Sequence, residues 1–266
     1  MADTVLYEVT EGLATIRLNR PDAMNALNTE TKEALRDTLR RAASDTGVRA
    51  VLLTGEGRAF CVGQDLKEHV GALTAVREQG GGGAMTTVRD HYNPIVTAIA
   101  GMPKPVVAAV NGAAAGAGAG FAFAADHRIV ADTASFTTSF AGVALSTDSG
   151  VSWTLPRLIG HGRATNLLLF PRSVPAAEAL ELGIADEVVP AAELTARAEA
   201  VARTLAEGPT LAYAAIKESL AYGAGRPLTE ALAKEEELQV RAGASEDHRI
   251  AVDAFVRKQK PEFRGR

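Results

Sequence analysis

Two stretches of this chain are rich in backbone and poor in reactive side chains. The first is Phe60-Cys61-Val62-Gly63-Gln64-Asp65-Leu66. The second is Asn111-Gly112-Ala113-Ala114-Ala115-Gly116-Ala117-Gly118-Ala119-Gly120. Each follows a short apolar run, at 51–53 and at 106–110. With no large side chain in the way, main-chain N–H groups can approach a ligand closely. Two N–H groups aimed at one oxygen make an oxyanion hole, which stabilises charge developing on a carbonyl. The plainer alternative is that these glycines only permit tight packing of helix on sheet. Two such stretches in one chain favour the oxyanion hole.

Other chemistries fit less well. A dinucleotide fingerprint starting at Gly116 requires a glycine at 121, where Phe121 stands. No phosphate-binding Gly-x-x-x-x-Gly-Lys-Ser/Thr segment, Gly-x-Ser-x-Gly elbow or His-Glu-x-x-His helix occurs in the sequence. His69, His91, His127, His161 and His248 form no metal-ligand spacing, so no metal is expected. Cys61 is the only cysteine, which excludes an intramolecular disulfide and fits a reducing cytoplasm. It reads as a small packing residue. Net charge is −4, and the short basic run Arg257-Lys258-Gln259-Lys260 is no footprint for nucleic acid. The residues after Met1 carry no basic, apolar leader, and no apolar run is long enough to span a membrane.

The elements that must hold these stretches follow from periodicity. Ala14, Ile16 and Leu18 alternate with polar residues, which predicts a half-buried strand. Leu35, Leu39 and Ala42 line one face of a helix over 29–43. Strands are expected at 49–54, 106–110, 128–131 and 134–136, and a helix should run from the second glycine stretch to about 125. Gly80-Gly81-Gly82-Gly83 reads as a mobile loop between two helical pieces, the second over about 85–101. Further helices are expected at 175–182, 191–206, 209–222, 228–241 and 246–258. Strands followed by helices, in that order, predict an α/β architecture. Trp153 is expected in the core.

These residues resemble the crotonase superfamily, also called the enoyl-CoA hydratase/isomerase family. The matching pieces are Leu18-Asn19-Arg20-Pro21, Asn25-Ala26-Leu27, Gly57-Arg58-Ala59-Phe60-Cys61-Val62-Gly63-Gln64-Asp65-Leu66, Pro103-Lys104-Pro105-Val106, Asn111-Gly112, Gly116-Ala117-Gly118 and Asp126. The resemblance implies a crotonase-like spiral of ββα units with a C-terminal helical subdomain. It divides the chain into a catalytic core over 1–204 and a helical oligomerisation subdomain over 205–266. It implies an acyl-CoA thioester substrate, with coenzyme A part of the substrate and no separate cofactor. It places the oxyanion donors at the N–H groups of Gln64 and Ala117. Substrate and CoA contacts would come from Ala26, Leu27, Gly63, Asp65, Leu66, Gly116, Phe140 and Lys260. Lys104 could also meet a CoA phosphate, although a solvated lysine is the simpler expectation. The resemblance further implies a homotrimer or dimer of trimers. The apolar Ile250, Val252, Phe255 and Val256 near the C-terminus fit such an interface.

Where a typical hydratase of the family carries two glutamates, this chain carries Gly120 and Phe140. Neither can activate water, and adding water across a double bond needs acid–base groups around it. One acid stands in the right stretch, Asp148, where several isomerases of the family carry an Asp or Glu. The flanking Val143, Leu145, Val151 and Trp153 are apolar, and an apolar setting would raise its pKa. One carboxylate can take a proton from one carbon and return it to another, which is a double-bond shift. Asp148 could instead cap the following helix. The nearest branch is the ring-1,2-epoxyphenylacetyl-CoA isomerase. Its features here are Phe60-Cys61-x-Gly63-Gln64-Asp65-Leu66, Tyr92-Asn93-Pro94 and Asp148 before Ser149-Gly150. The alternatives are an enoyl-CoA hydratase and a catalytically silent acyl-CoA-binding scaffold. An aryl-CoA dehalogenase with Asp148 as nucleophile would carry an indole at the position of Phe140.

Overall fold

A computed structural model describes residues 3–79, 83 and 85–266. The chain begins with β1 (Val5–Thr10), β2 (Leu13–Leu18), α1 (Thr29–Ser44), β3 (Ala50–Gly55), β4 (Ala59–Cys61), α2 (Leu66–Gln79) and α3 (Asn93–Gly101). It continues with β5 (Val106–Val110), β6 (Ala113–Ala115), α4 (Ala117–Ala124), β7 (His127–Ala131), β8 (Ser135–Thr137), α5 (Val151–Ile159) and α6 (His161–Leu169). Then follow β9 (Ser173–Pro175), α7 (Ala176–Leu182), β10 (Glu187–Val189), α8 (Leu194–Ala206), α9 (Thr210–Gly223), α10 (Leu228–Gly243) and α11 (Glu246–Arg257).

The strands form two sheets. The larger has the order β1-β2-β3-β5-β7-β10 and the smaller β4-β6-β8-β9. Each pass of the chain lays one strand in the larger sheet, one in the smaller, and then turns into helix. The passes are β3-β4-α2, β5-β6-α4 and β7-β8-α5. This is the expected α/β spiral of ββα units. Strands β3, β5, β7 and β10 run parallel, and β1 pairs antiparallel with β2. Every residue of β5 is buried, as a parallel strand covered on both faces requires.

Local signals account for the elements. Asn28 caps α1, its side chain accepting from the Thr31 N–H at 3.0 Å. Leu35, Leu39 and Ala42 are then buried on one face, each large side chain worth ~1.5–3 kcal/mol. Helix α8 packs against β3, β5 and β7, so position 205 falls within a helix of the sheet layer. The helices beyond it, α9 to α11, begin after Ala206. Arg49, at the start of β3, binds the carbonyls of Gly208 at 2.7 Å and Phe263 at 3.1 Å, which ties this segment back to the sheet.

Several elements differ from the sequence expectation. Helices α5 and α6 and the short strands β4, β6, β9 and β10 were not expected. Three-residue strands are too short to show alternation. The stretch 85–101 is a helix of two kinds, a wide π turn over Val88–Tyr92 followed by α3. Of the glycine run, Gly80, Gly81 and Gly82 lie outside the described residues.

Candidate active site

The loop before α1 holds the first glycine stretch from one side. Asn25 is buried with φ of 57°, a left-handed conformation that Asn tolerates. Its Oδ1 accepts from the Arg20 N–H at 2.9 Å. Its Nδ2 donates to the carbonyls of Glu56 at 3.0 Å and Ala59 at 2.8 Å. This clamp sets Leu27 beside Gln64. The Leu27 N–H donates to the Gly63 carbonyl at 2.8 Å, and the Asp65 N–H donates to the Leu27 carbonyl at 3.1 Å. Successive N–H groups of an extended segment point to opposite sides. The Gln64 N–H is therefore turned away from Leu27.

The second stretch lies on that other side. Gly63 has φ of 83°, and a Cβ there would lie 2.9 Å from the Ala115 carbonyl oxygen and 3.4 Å from the Ala117 nitrogen. Only a glycine permits this approach, and it brings the two stretches backbone to backbone. The Gly116 N–H donates to Thr137 at 3.0 Å, and α4 starts at the next residue. The Ala117 N–H thus belongs to the first helical turn, which has no intrahelical acceptor. Among the described residues no hydrogen bond occupies the N–H of Gln64 or of Ala117.

Asp148 is half-buried, and burial raises its carboxyl above the usual value; a hydrogen bond from Ser149 Oγ at 2.8 Å opposes this. Its side chain does not cap α5, whose N-cap is Gly150 with no side-chain bond. Of the four apolar sequence neighbours only Val151 is buried. Val143, Leu145 and Trp153 are exposed at 62%, 42% and 45%. Tyr92 lies close enough that the Asp148 charge, second only to burial, pushes its phenol up. The Tyr92 hydroxyl donates to Gln64 Oε1, and its ring meets Phe121 edge-on at 6.3 Å. Tyr92 is thus bonded to the Gln64 side chain and lies within reach of the Asp148 charge.

The two positions that lack glutamate are occupied by packing. A Cβ on Gly120 would lie 2.7 Å from both Ser149 Cβ and Ser149 O. Ser149 is buried with φ of 51°, so the turn carrying Asp148 is pressed into the space beside Gly120. Phe140 is buried at the start of an exposed stretch, 141–146.

The remaining candidates divide. Ala26 and Leu27 are buried against the Gln64 segment, with the Ala26 carbonyl accepting from Arg20 at 2.5 Å. The Asp65 carboxylate is committed to Arg20 at 2.9 Å and to the Lys67 N–H at 3.1 Å, which leaves it a bracing role. Burial pushes that carboxyl up, but Arg20 and these N–H groups hold it below its usual value. Leu66 is 70% exposed and Gly116 half-buried. Lys260 is exposed after α11, with no hydrogen bond or ion pair among the described residues. Sequence reasoning missed Lys32, which is only 2% exposed. Its Nζ donates to Gln64 Oε1 at 3.3 Å, Glu68 Oε1 at 3.2 Å and Thr87 Oγ1 at 3.0 Å. The signal was present, because Lys32 falls in the same helical stripe as Leu35, Leu39 and Ala42.

A family model described as enoyl-CoA hydratase/isomerase matches residues 8–266. The chain belongs to the enoyl-CoA hydratase/isomerase family. A Rhodobacter capsulatus relative named as a probable enoyl-CoA hydratase is 44% identical over 99% of this chain and 98% of its own. The 1,2-epoxyphenylacetyl-CoA isomerase of Escherichia coli K12 is 38% identical over the whole of both chains. A crystal structure of a Mycobacterium abscessus protein named for the same family superposes with a TM-score of 0.93. It is 46% identical, covering 98% of this chain and 100% of that one.

Three side chains of this family member stand differently from expectation or confirm it. Lys104 is neither solvated nor poised for a phosphate. It is buried, and its Nζ donates to the carbonyls of Ala42 at 2.6 Å and Asp45 at 2.5 Å at the end of α1. Trp153 is half exposed, with the Arg157 guanidinium stacked 4.0 Å from its ring centroid. Cys61 is a packing residue, and burial pushes its thiol up to about 12, far from a nucleophile.

Proposed function

We propose that this family member is an acyl-CoA isomerase that shifts a double bond through a thioester enolate. In this reading the N–H groups of Gln64 and Ala117 hold the thioester oxygen. Asp148 removes a proton from the α-carbon of a 3-enoyl thioester, the dienolate charge flows to that oxygen, and Asp148 returns the proton to the γ-carbon. The double bond moves into conjugation with no net gain or loss of atoms. The observation that carries this is the pairing of one half-buried carboxylate, Asp148, with a Gly120 site already filled by Ser149. Ala26, Leu27, Gly63, Leu66, Gly116 and Phe140 would then shape the acyl-CoA site, and Lys260 would meet a CoA phosphate. Epoxyphenylacetyl-CoA is the aromatic substrate that the Escherichia coli relative suggests. Enoyl-CoA hydration is the second reading, favoured by the likeness to the Rhodobacter capsulatus protein.

A panel of thioesters decides between them, followed by mass spectrometry and ultraviolet absorbance. It should contain crotonyl-CoA, 3-enoyl-CoAs and the epoxyphenylacetyl thioester. Isomerised product without a gain of water is expected; efficient hydration of crotonyl-CoA would reverse the order of the two readings.

We also infer a homotrimer or dimer of trimers in the cytoplasm. Leu220, Leu228, Val240, Phe255 and Val256 are each about 70–85% exposed on α9 to α11, apolar surface of the kind a closed ring covers. Sedimentation equilibrium at micromolar concentration should give three or six chains, and a clean monomer would refute it.

A further inference from the structure

We propose that Lys32 is a positioning residue that aims the Gln64 N–H at the thioester oxygen; this rests on the oxyanion reading above. The Gln64 N–H is weakly determined by its own backbone. Gly63, just before it, is the most permissive kind of residue, and a single bridge to Leu27 holds the segment on one side. The side chain supplies the missing constraint. Gln64 Oε1 accepts from both Lys32 Nζ at 3.3 Å and the Tyr92 hydroxyl, and its Nε2 donates to the Asp65 carbonyl at 3.4 Å.

Lys32 in turn is fully committed. Its ammonium has three protons, and three acceptors surround it: Gln64 Oε1, Glu68 Oε1 and Thr87 Oγ1. These acceptors sit on the glycine stretch, on the first turn of α2, and on the residue before the π turn that carries Tyr92. One buried cation thus joins α1 to the Gln64 side chain, to α2 and to the π turn. Glu68 is itself fixed by the Thr29 N–H at 2.8 Å and Thr29 Oγ1 at 3.0 Å. Thr87 Oγ1 also meets His91 Nδ1 at 3.1 Å. The Tyr92 ring lies 5.8 Å from the ammonium. A buried ammonium costs free energy unless it is paired and hydrogen-bonded. Apolar packing of α1 would need only another leucine here, so the lysine is explained by what it holds.

The test reads carbonyl polarisation rather than fold. Butyryl-CoA carrying carbon-13 at the thioester carbonyl is bound to the full-length protein, and its carbonyl stretch is measured by infrared difference spectroscopy. The wild-type protein should lower the stretch. Lys32→Met should recover at least half of that shift toward the unbound value, while the dissociation constant stays within tenfold. A merely structural lysine would change melting temperature but leave the bound carbonyl where it was. An unchanged shift in folded Lys32→Met overturns the proposal. Should that variant fail to fold, the Glu68→Met/Thr87→Val double variant, which removes two of the three anchors, is read by the same two outcomes. No shift in the wild-type complex would refute the oxyanion reading itself, and this inference with it.

Discussion

Gly63 and Ala117 meet in the interior, fastened by Leu27, Asn25, Lys32 and the strands of the smaller sheet. Asp148 closes a stretch, 141–146, in which every residue is exposed. The first region offers only backbone groups, whose identity no substitution changes but whose direction any shift of packing spoils. The second offers a single side chain, whose identity decides everything, on a turn packed against Gly120. The difference teaches where each part of the proposed chemistry is vulnerable. Stabilisation of charge depends on geometry set by glycines and buried anchors, and proton movement depends on one carboxylate.

The largest effect should come from the carboxylate. Asp148→Asn keeps the shape and removes the base, so isomerisation should fall by roughly 10²–10⁴-fold. Binding of butyryl-CoA by titration calorimetry should change little. Turnover within a few-fold of wild type would remove Asp148 from the mechanism. Next comes the junction. In Gly63→Ala the new methyl would crowd the Ala115 carbonyl, in a backbone conformation that alanine disfavours. Mis-aiming one donor costs about 3–4 kcal/mol of transition-state stabilisation, so turnover should fall roughly 10²-fold or more. Equal losses in both variants are compatible with the comparison, but a Gly63→Ala protein with normal turnover is not.

A third variant sharpens the contrast between the two regions. Gly120→Glu restores a carboxylate at a hydratase position, yet its side chain must displace Ser149. We expect destabilisation of about 1–3 kcal/mol by overpacking and no gain in crotonyl-CoA hydration. A hydratase emerging from that one change would mean the 148–150 turn yields easily.

The smallest effect is one of pH and stability. Burial raises the Asp148 carboxyl in the folded chain above its ordinary value of 3.8. Between those two values the folded chain holds a proton that the unfolded chain has released. Stability therefore falls as pH rises through that window and stays lower above it. Asp148→Asn should melt slightly higher than wild type at neutral pH, and the gain should vanish below about pH 4. The same shift places the acid limb of the kcat/KM profile above the ordinary carboxylate range. A limb at the ordinary value would contradict the burial of Asp148.

The glycine stretches, the main strands and α1 were legible because their signals are local. Gln64 and Ala117 could be singled out by motif position alone. What was not legible depended on contacts distant in sequence. Val143 and Trp153 beside Asp148 are exposed, whereas Ser149 and Val151 are buried. Lys104 reads as a surface lysine until the carbonyls of Ala42 and Asp45 are folded against it. Ser149 beside Gly120 has no sequence signature, because a left-handed serine is imposed by its surroundings. Helices α5 and α6 escaped because glycine and proline at 156, 160 and 162 mask their period.

The strand orders carry one further consequence. In both sheets, β1-β2-β3-β5-β7-β10 and β4-β6-β8-β9, spatial order repeats chain order. No strand has to be inserted between two made earlier. As the polypeptide leaves the ribosome, each new strand finds its partner already at a growing edge, and nothing assembled needs to be reopened. Domains commonly acquire structure from the N-terminal end during synthesis. This topology lets the growing chain do so one pass at a time, with Lys32 made before any of the three groups it must gather.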